Sequence, residues 1–427
     1  MTISRSDSEQ LLRSILQGSN LEKMAERLRT RSTDELPLPP ALPREADLGR
    51  EAQHKRLAIL EKQGISFDYL TGTKRIDDPS VFQGTIENYI GTAQLPVGII
   101  GPLRINGIHA NGDFYVPLAT AEGALIASYN RGAKVVSLSG GVRAVCLTER
   151  VSRAPGFMFR DLVEAGAFVA WVVAQFDDLR SEAKKTTSHG RLEDVKVTLE
   201  GNHVFLIFEY TTGDAAGQNM VTIATDAVCR YIIAECPVKP VRWFIESNMS
   251  GDKKATALSY LSVRGKKVIA EAVVPRRLCM RMLHTTPESV MEYWKMSFVG
   301  GVQTGSIGVQ GHYANGLAAM FIACGQDAAC VAEASIGITR IDLVEQGDLY
   351  ISVSLPNLIV GTVGGGTNLP TQRECLEALG CKGEGTARKF AEICAATALA
   401  GELSIMGALA AGEFTQAHVK YGRKSRN

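Results

Sequence analysis

Glu246-Ser247-Asn248-Met249-Ser250-Gly251-Asp252-Lys253-Lys254 sets two adjacent ammonium groups directly after a carboxylate, behind a flexible Ser-Gly pair. An apolar strand-like run, Val241 to Ile245, leads in, and an Ala-rich segment, Ala255 to Leu261, leads out. An exposed Asp-Lys-Lys is ordinarily a solvated turn. At a junction between two apolar segments, however, a fixed ammonium can polarise a carbonyl oxygen and meet the negative charge that develops there.

Outward from this stretch, composition sets the bounds. The 427 residues, 45% hydrophobic and 21% charged, suffice for two or three domains around a large core. A formal net charge of +1 gives no argument for nucleic acid or an anionic membrane as partner. A basic cluster at the C-terminus (Lys420, Arg423, Lys424, Arg426) is at most a local patch. Nine scattered cysteines without a C-x-x-C pair indicate neither a disulfide framework nor a zinc site, so no metal is expected and a reducing cytoplasm fits. Apolar runs of about eight residues (Ala167 to Ala174, Leu317 to Cys324) fall short of the roughly 18 a spanning helix needs, and the N-terminus has no apolar signal core.

Along the chain, leucines at helical spacing (Leu11, Leu12, Ile15, Leu16) and the proline cluster Pro37, Pro39, Pro40, Pro43 predict helices joined by a stiff connector. From Glu87, E-N-Y-I-G-T-A-Q-L-P-V-G-I-I-G-P-L predicts short strands and tight turns. Ala119 to Lys134 then reads as a helix with one carboxylate, Glu122, near its start. That carboxylate either serves the helix dipole or donates a proton from among apolar neighbours. Arg153 to Phe244 forms a separate small domain: Val195, Val197 and Leu199 alternate, Glu200-Gly201-Asn202 turns, and Val204 to Phe208 returns. Gly213 to Met220 leads into a helix with Ile223, Ala227, Tyr231 and Ile232 on one face. Its small residues suit either a phosphate or close packing, and the hairpin before it argues against a Rossmann unit. Glu271 to Arg281 reads as strand and turn. Leu317 onward is apolar nearly all round, which predicts a buried helix carrying Asp327; a buried carboxylate there must be paired with a cation or protonated. His312 reads as a structural or surface histidine. The glycines of G-T-V-G-G-G-T-N (Gly361 to Asn368) imply a close backbone approach to a ligand or a helix, and His418 follows a buried helix in a polar tail.

Taken together, E-N-Y-I-G, A-T-A-E-G, G-D-A-A-G-Q-N-M, D-K-K, G-Q-D-A-A, G-T-V-G-G-G-T and the A-L-A-A-G block six residues before His418 resemble the 3-hydroxy-3-methylglutaryl-CoA reductase family, from about residue 80 to the last ten residues. The resemblance implies an α+β fold. A large mixed α/β CoA-ester domain with a buried central helix (86–153 and 256–427) would follow a helical N-terminal region (1–85). A small ferredoxin-like NADP domain (154–244) would be inserted, with a connecting catalytic loop at 245–255. It further implies reduction of hydroxymethylglutaryl-CoA to mevalonate and CoA by NADPH. Lys253 would stabilise the oxyanion, His418 would protonate the CoA thiolate, Glu122 would donate a proton to the aldehyde, and Asp327 would join Lys253 and Glu122 in one network. By the same matching, Arg153, Asn248, Asp252, Lys254, Lys295 and Asn315 would bind the substrate. Asp214, Gln218, Asn219, Gly364, Gly365 and Ser188 would lie along the cofactor. A homodimer or homotetramer with active sites between subunits is implied, with no membrane segment and a cytoplasmic location.

Glu246 stands where animal members of the family have a serine. Thr187-Ser188 replaces their Ser-Arg at the cofactor 2′-phosphate, leaving Arg180, Lys184, Lys185 or Arg191 as substitutes and both NADPH and NADH open. Ala417 precedes the tail histidine in place of serine, Lys424 lies near the position of their phosphorylatable serine, so no such regulation is expected, and Leu42 falls at the residue that packs on the CoA adenine. Oxidation of mevalonate with NADH, and a non-catalytic protein that binds the CoA ester, are the competing readings.

Overall fold

The computed structural model describes residues 8, 9, 12, 21–43, 47–416 and 419. Strands β8 (Gly265–Val274) and β10 (Leu349–Leu358) alternate buried and half-exposed positions along most of their length, which turns Val268, Ala270, Ile351 and Val353 to one face. Across that face lies the 24-residue helix α10 (Ala387–Ala410), which follows α9 (Pro370–Ala378) and is buried on nearly every side. By length and composition α10 could cross a membrane, yet 83% of its most apolar window is buried inside the protein. Its two interior carboxylates accept backbone N–H groups. Glu392 takes those of His109, Ala110 and Cys146 at 2.8, 2.7 and 3.0 Å, and burial pushes its carboxyl up to about 7.

Ten strands form the sheet, in the order β7-β4-β6-β3-β8-β10-β9, with β1 and β2 attached through β3 and β5 attached through β6. Here β1 is Val97–Gly107, β2 Asn111–Ala119, β3 Val142–Arg153, β4 Gly156–Met158, β5 Arg191–Glu200, β6 His203–Thr211, β7 Arg242–Phe244 and β9 Ile338–Leu343. The long strand β3 serves two parts of the molecule: Arg143 to Arg150 pair with β8, while Val151 to Arg153 pair with Tyr210 to Phe208 of β6. Beyond it the chain runs β4, α4 (Leu162–Ala174), α5 (Phe176–Lys184), β5, β6, α6 (Gln218–Glu235) and β7. Its four strands lie antiparallel in the order β7-β4-β6-β5, the split β-α-β order of ferredoxin-like folds. The mixed helix-and-sheet expectation holds, and the β5–β6 hairpin turns where its sequence predicts.

Several local expectations do not hold. The E-N-Y-I-G stretch forms no strand; β1 starts only at Val97, because residues 84–96 are exposed and have no sheet neighbour to pair with. In α6 the buried face is Val221, Ala224, Thr225, Val228 and Ile232, whereas Ile223 is exposed. At the N-terminal end, α1 (Leu21–Leu28) and α2 (Arg50–Glu61) flank the proline connector, and residues 62–96 contain turns and a single 3-10 turn at Pro79–Phe82. Buried Arg104 fastens the connector: its five N–H groups go to Asp113, Arg31 O, Leu36 O and Pro37 O. Leu11, Ile15 and Leu16 lie outside the described residues.

Candidate active site

β7 delivers the chain into the 246–254 loop, where Asn248, Gly251 and Lys253 adopt left-handed backbone angles of φ 65°, 71° and 55°. For non-glycine residues such angles cost on the order of 1–3 kcal/mol each and persist only where surrounding contacts hold them. Those contacts are carboxylates. Glu246 accepts from Asn248 N (2.7 Å) and Ser250 Oγ (3.1 Å), and Glu333 accepts from Lys253 N (3.1 Å). The turn carries Lys253 Nζ to 2.8 Å from Asp327 Oδ2.

Asp327 does not sit on a buried helix. The preceding helix α8 (Tyr313–Ala323) stops at Gly325, whose φ of 67° and packing against the backbone of Gly366 leave no room for a side chain. Asp327 instead caps the following 3-10 turn, accepting from Ala329 N at 3.0 Å, with its carboxylate 38% exposed. Burial opposes its ionisation, but the hydrogen bonds from Lys253 and Ala329 outweigh that and hold the carboxyl below the ordinary aspartate range. Its hydrogen bond in turn raises the Lys253 ammonium above the ordinary lysine value.

Glu122 belongs to a second group. It is exposed and lies before α3 (Leu125–Leu138) rather than inside it, because Ala124 turns the chain through φ 72° first. Its Oε2 accepts from Asn315 Nδ2 at 2.7 Å, in the first turn of α8. That turn is anchored by Glu402 of α10, which accepts from Gly311 N, His312 N and His312 Nδ1 at 2.7, 2.8 and 3.1 Å. Within one chain no hydrogen bond or ion pair among the described residues joins Glu122 to Lys253 or Asp327. His418 lies outside the described residues.

The residues matched to the cofactor meet this site through α6. Gln218, its first residue, donates to Asp327 Oδ2 at 3.5 Å and to Cys330 Sγ at 2.8 Å, and Asn219 is exposed beside it. The carboxylate of Asp214 is occupied by Gly385 N (2.6 Å) and Ala387 N (2.9 Å) at the start of α10. Gly364 and Gly365, at φ 77° and 54°, face open space, while their neighbours pack tightly: Gly361 on Ala215–Ala216, Gly366 on Gly325. The close backbone approach is thus made by Gly361 and Gly366, to the loop segments that precede α6 and follow α8. Ser188 is exposed in a turn that reaches the first turn of α6 through Thr187 Oγ1 and Met220 Sδ, 3.0 Å apart.

Of the cations matched to substrate, Arg153 is already engaged. Its Nη1 lies 3.2 Å from Glu246 Oε2 and 3.1 Å from Asp252 Oδ2, with the side chain only 9% exposed. Lys254 Nζ donates to Asp252 O at 2.9 Å and is exposed. Lys295 is exposed on α7 (Pro287–Gln303), with no contact to either group. Sequence reasoning missed what lies behind the loop. Arg264 reaches Asp252 Oδ1 (2.6 Å) and Glu333 Oε1 (2.5 Å), completing a chain Glu246–Arg153–Asp252–Arg264–Glu333. The one signal was a lone glutamate in the otherwise apolar C-V-A-E-A run.

Residues 51–423 match the family model described as hydroxymethylglutaryl-coenzyme A reductase. The 3-hydroxy-3-methylglutaryl-coenzyme A reductase of Pyrococcus abyssi is 44% identical over 378 residues, covering 86% of this chain and 92% of the relative. Reductase 1 of Oryza sativa subsp. indica is 36% identical over 395 residues, covering 90% of this chain and 71% of that protein. In fold, the chain is similar to the class II reductase of Streptococcus pneumoniae bound to NADPH, with a TM-score of 0.68 at 18% identity, over 83% of this chain and 96% of that one. The chain belongs to the hydroxymethylglutaryl-coenzyme A reductase family of oxidoreductases.

Proposed function

We propose that the chain reduces 3-hydroxy-3-methylglutaryl-CoA to mevalonate and CoA with two NADPH, through mevaldyl-CoA and mevaldehyde. The observation that carries this is the Lys253–Asp327 pair, held at 2.8 Å and touched by Gln218 at the start of α6. NADPH, when bound, supplies a hydride to the thioester carbon and a second to the aldehyde. The residues present suit it: behind its capping residue Gly217, α6 opens with backbone N–H groups that favour an anion, and Gly364 and Gly365 leave open space. Lys253 stabilises the oxyanion formed at the thioester carbonyl, and Asp327 keeps that ammonium charged and aimed. Glu122, steadied by Asn315, protonates the aldehyde oxygen, and His418 protonates the departing thiolate. The large part of the chain (86–153 and 256–427) binds the CoA ester, the 154–244 segment binds the cofactor, and the 245–255 loop joins them.

Arg180, Lys185 and Arg191 are each paired with Asp177, Glu182 or Glu193. Lys184 has no carboxylate partner among the described residues, which makes it our candidate for the 2′-phosphate. Because Arg153 is held by Glu246 and Asp252, the exposed Lys254 and Lys295 are left to meet the substrate carboxylate directly. The purified protein should deplete absorbance at 340 nm with hydroxymethylglutaryl-CoA and NADPH, and two NADPH should disappear per mevalonate formed. A preference for NADH would instead assign the Thr187-Ser188 turn to the other cofactor. Binding of the ester without depletion of either would overturn the enzymatic reading.

A further inference from the structure

Four buried glutamates of the large part, Glu333, Glu374, Glu392 and Glu402, accept backbone N–H groups from distant segments. Of these only Glu333 holds the backbone of a residue that we place at the reacting carbonyl. Its side chain is 0% exposed, and one oxygen serves both Lys253 N (3.1 Å) and Arg264 Nη1 (2.5 Å). Arg264 passes the restraint on to Asp252, 2.6 Å away, so the two residues before Lys254 are held from one point. Lys253 needs such a hold. Its φ of 55° belongs to glycine rather than to lysine, and besides the bond from Lys254 N to Gly251 O (3.1 Å) that closes the turn, Glu333 is the group that meets its main chain.

We propose that Glu333 is a positioning residue for the reduction, fixing the left-handed turn at Lys253 through its main-chain N–H and, by way of Arg264, through Asp252. The role rests on the reductase chemistry proposed above. Glu333 meets the main chain of Lys253, while the charged groups facing its side chain are Asp327 and Asp252, with the Cys330 thiol beside them. With the N–H released, the turn relaxes, Nζ moves away from Asp327, and the ammonium loses the hydrogen bond that raises it above the ordinary lysine value.

The test compares Glu333→Met, which keeps the volume but has no acceptor, with Glu333→Gln, which restores one. E333M should lose about tenfold to a hundredfold in kcat, with KM for the CoA ester within about threefold and the alkaline limb of the kcat profile moved to lower pH. E333Q should recover kcat to within about threefold and return the limb. Glu374→Met, which deprives Tyr69 N and Leu70 N of their acceptor, is the control: it lowers thermal stability without touching kcat or the limb. E333M and E333Q alike in both readouts would overturn the role. Amide exchange at Lys253 is read independently of turnover. It should be slow in the parent and E333Q and fast in E333M, and a parent amide that exchanges as freely as an exposed one rules the hold out even if no variant folds. A parent inactive on hydroxymethylglutaryl-CoA overturns the reductase reading and leaves the exchange result to decide the positioning role.

Discussion

Lys253 and Asp327 are 41% and 38% exposed, so their pairing is screened by water and contributes about 0–1 kcal/mol to stability. Its effect lies in where it holds charge. Lys253→Ala should lower kcat by about 10²- to 10³-fold, the usual cost of losing an oxyanion donor, while the thermal midpoint barely moves. The protonation signs agree. The Asp327 carboxyl is lowered, so its contribution is present above the ordinary aspartate value and is lost as pH falls through its folded value; the Lys253 ammonium is raised, so its contribution is fully present below the ordinary lysine value and is lost as pH rises through its folded value. The pair is therefore intact from about pH 3.9 to about pH 10.4, and Asp327→Asn should draw the alkaline limb of kcat downward. A limb unmoved in that variant would detach Asp327 from the tuning of Lys253. D-K-K and G-Q-D-A-A were legible because each is contiguous and charged. The setting of Asp327 was not: an apolar run argues for a buried helix, and it ends early at Gly325, left-handed at φ 67° and packed on Gly366, a residue far away in sequence. Glu333 was equally hidden, since its partners lie 80 and 69 residues away.

At the scale of elements, the site stands on α10. Its nearly unbroken apolar sequence announced burial, but how closely other helices approach it depends on small residues whose significance appears only in contact. A Cβ on Gly132 of α3 would lie 1.8 Å from the carbonyl oxygen of Ala400. Gly316 of α8 and Gly401 of α10 lie against the buried ring of Tyr129, whose hydroxyl donates to His312 O at 3.2 Å. α3 and α10 thus meet at backbone distance, α8 closes on the Tyr129 ring between them, and the turn that presents Asn315 to Glu122 rests on that meeting. Gly132→Ala should lower stability by about 1–3 kcal/mol or more, read as a fall in the thermal midpoint, because helix backbones have no rotamer by which to yield. Gly383→Ala, at a position where an added Cβ meets nothing, should cost only the smaller strain of its φ of 86°. An equal loss in both would mean that the α3–α10 contact is not the tight one. The failed strand expectation at E-N-Y-I-G has the complementary cause: β-branched and aromatic residues form strands only beside a partner strand, and within one chain this segment has none.

For the whole molecule, that segment is the informative surface. Ile90 is fully exposed, Ile86, Tyr89 and Leu95 are exposed around it, and Met296, Val299 and Val302 are exposed on α7. Apolar surface of this kind is what a subunit interface would cover. The two reactive groups point the same way, for Lys253 with Asp327 and Glu122 with Asn315 are each complete internally yet unconnected within a chain. A twofold dimer in which one subunit's Glu122 faces its partner's Lys253 would account for both facts. Mixing separately inactive Lys253→Ala and Glu122→Gln chains after dissociation and reassembly tests it. If the groups meet across subunits, each mixed dimer holds one intact site and one doubly altered site. Random reassortment makes half the dimers mixed, so about a quarter of the parent activity should return. If both groups serve one site within a chain, every site carries a lesion and the mixture stays inactive. Ile90→Asp applied to both chains supplies the link to the surface: by placing a charge in the interface it should abolish the recovery and shift sedimentation toward the monomer, whereas recovery that survives it would move the interface away from residues 84–96.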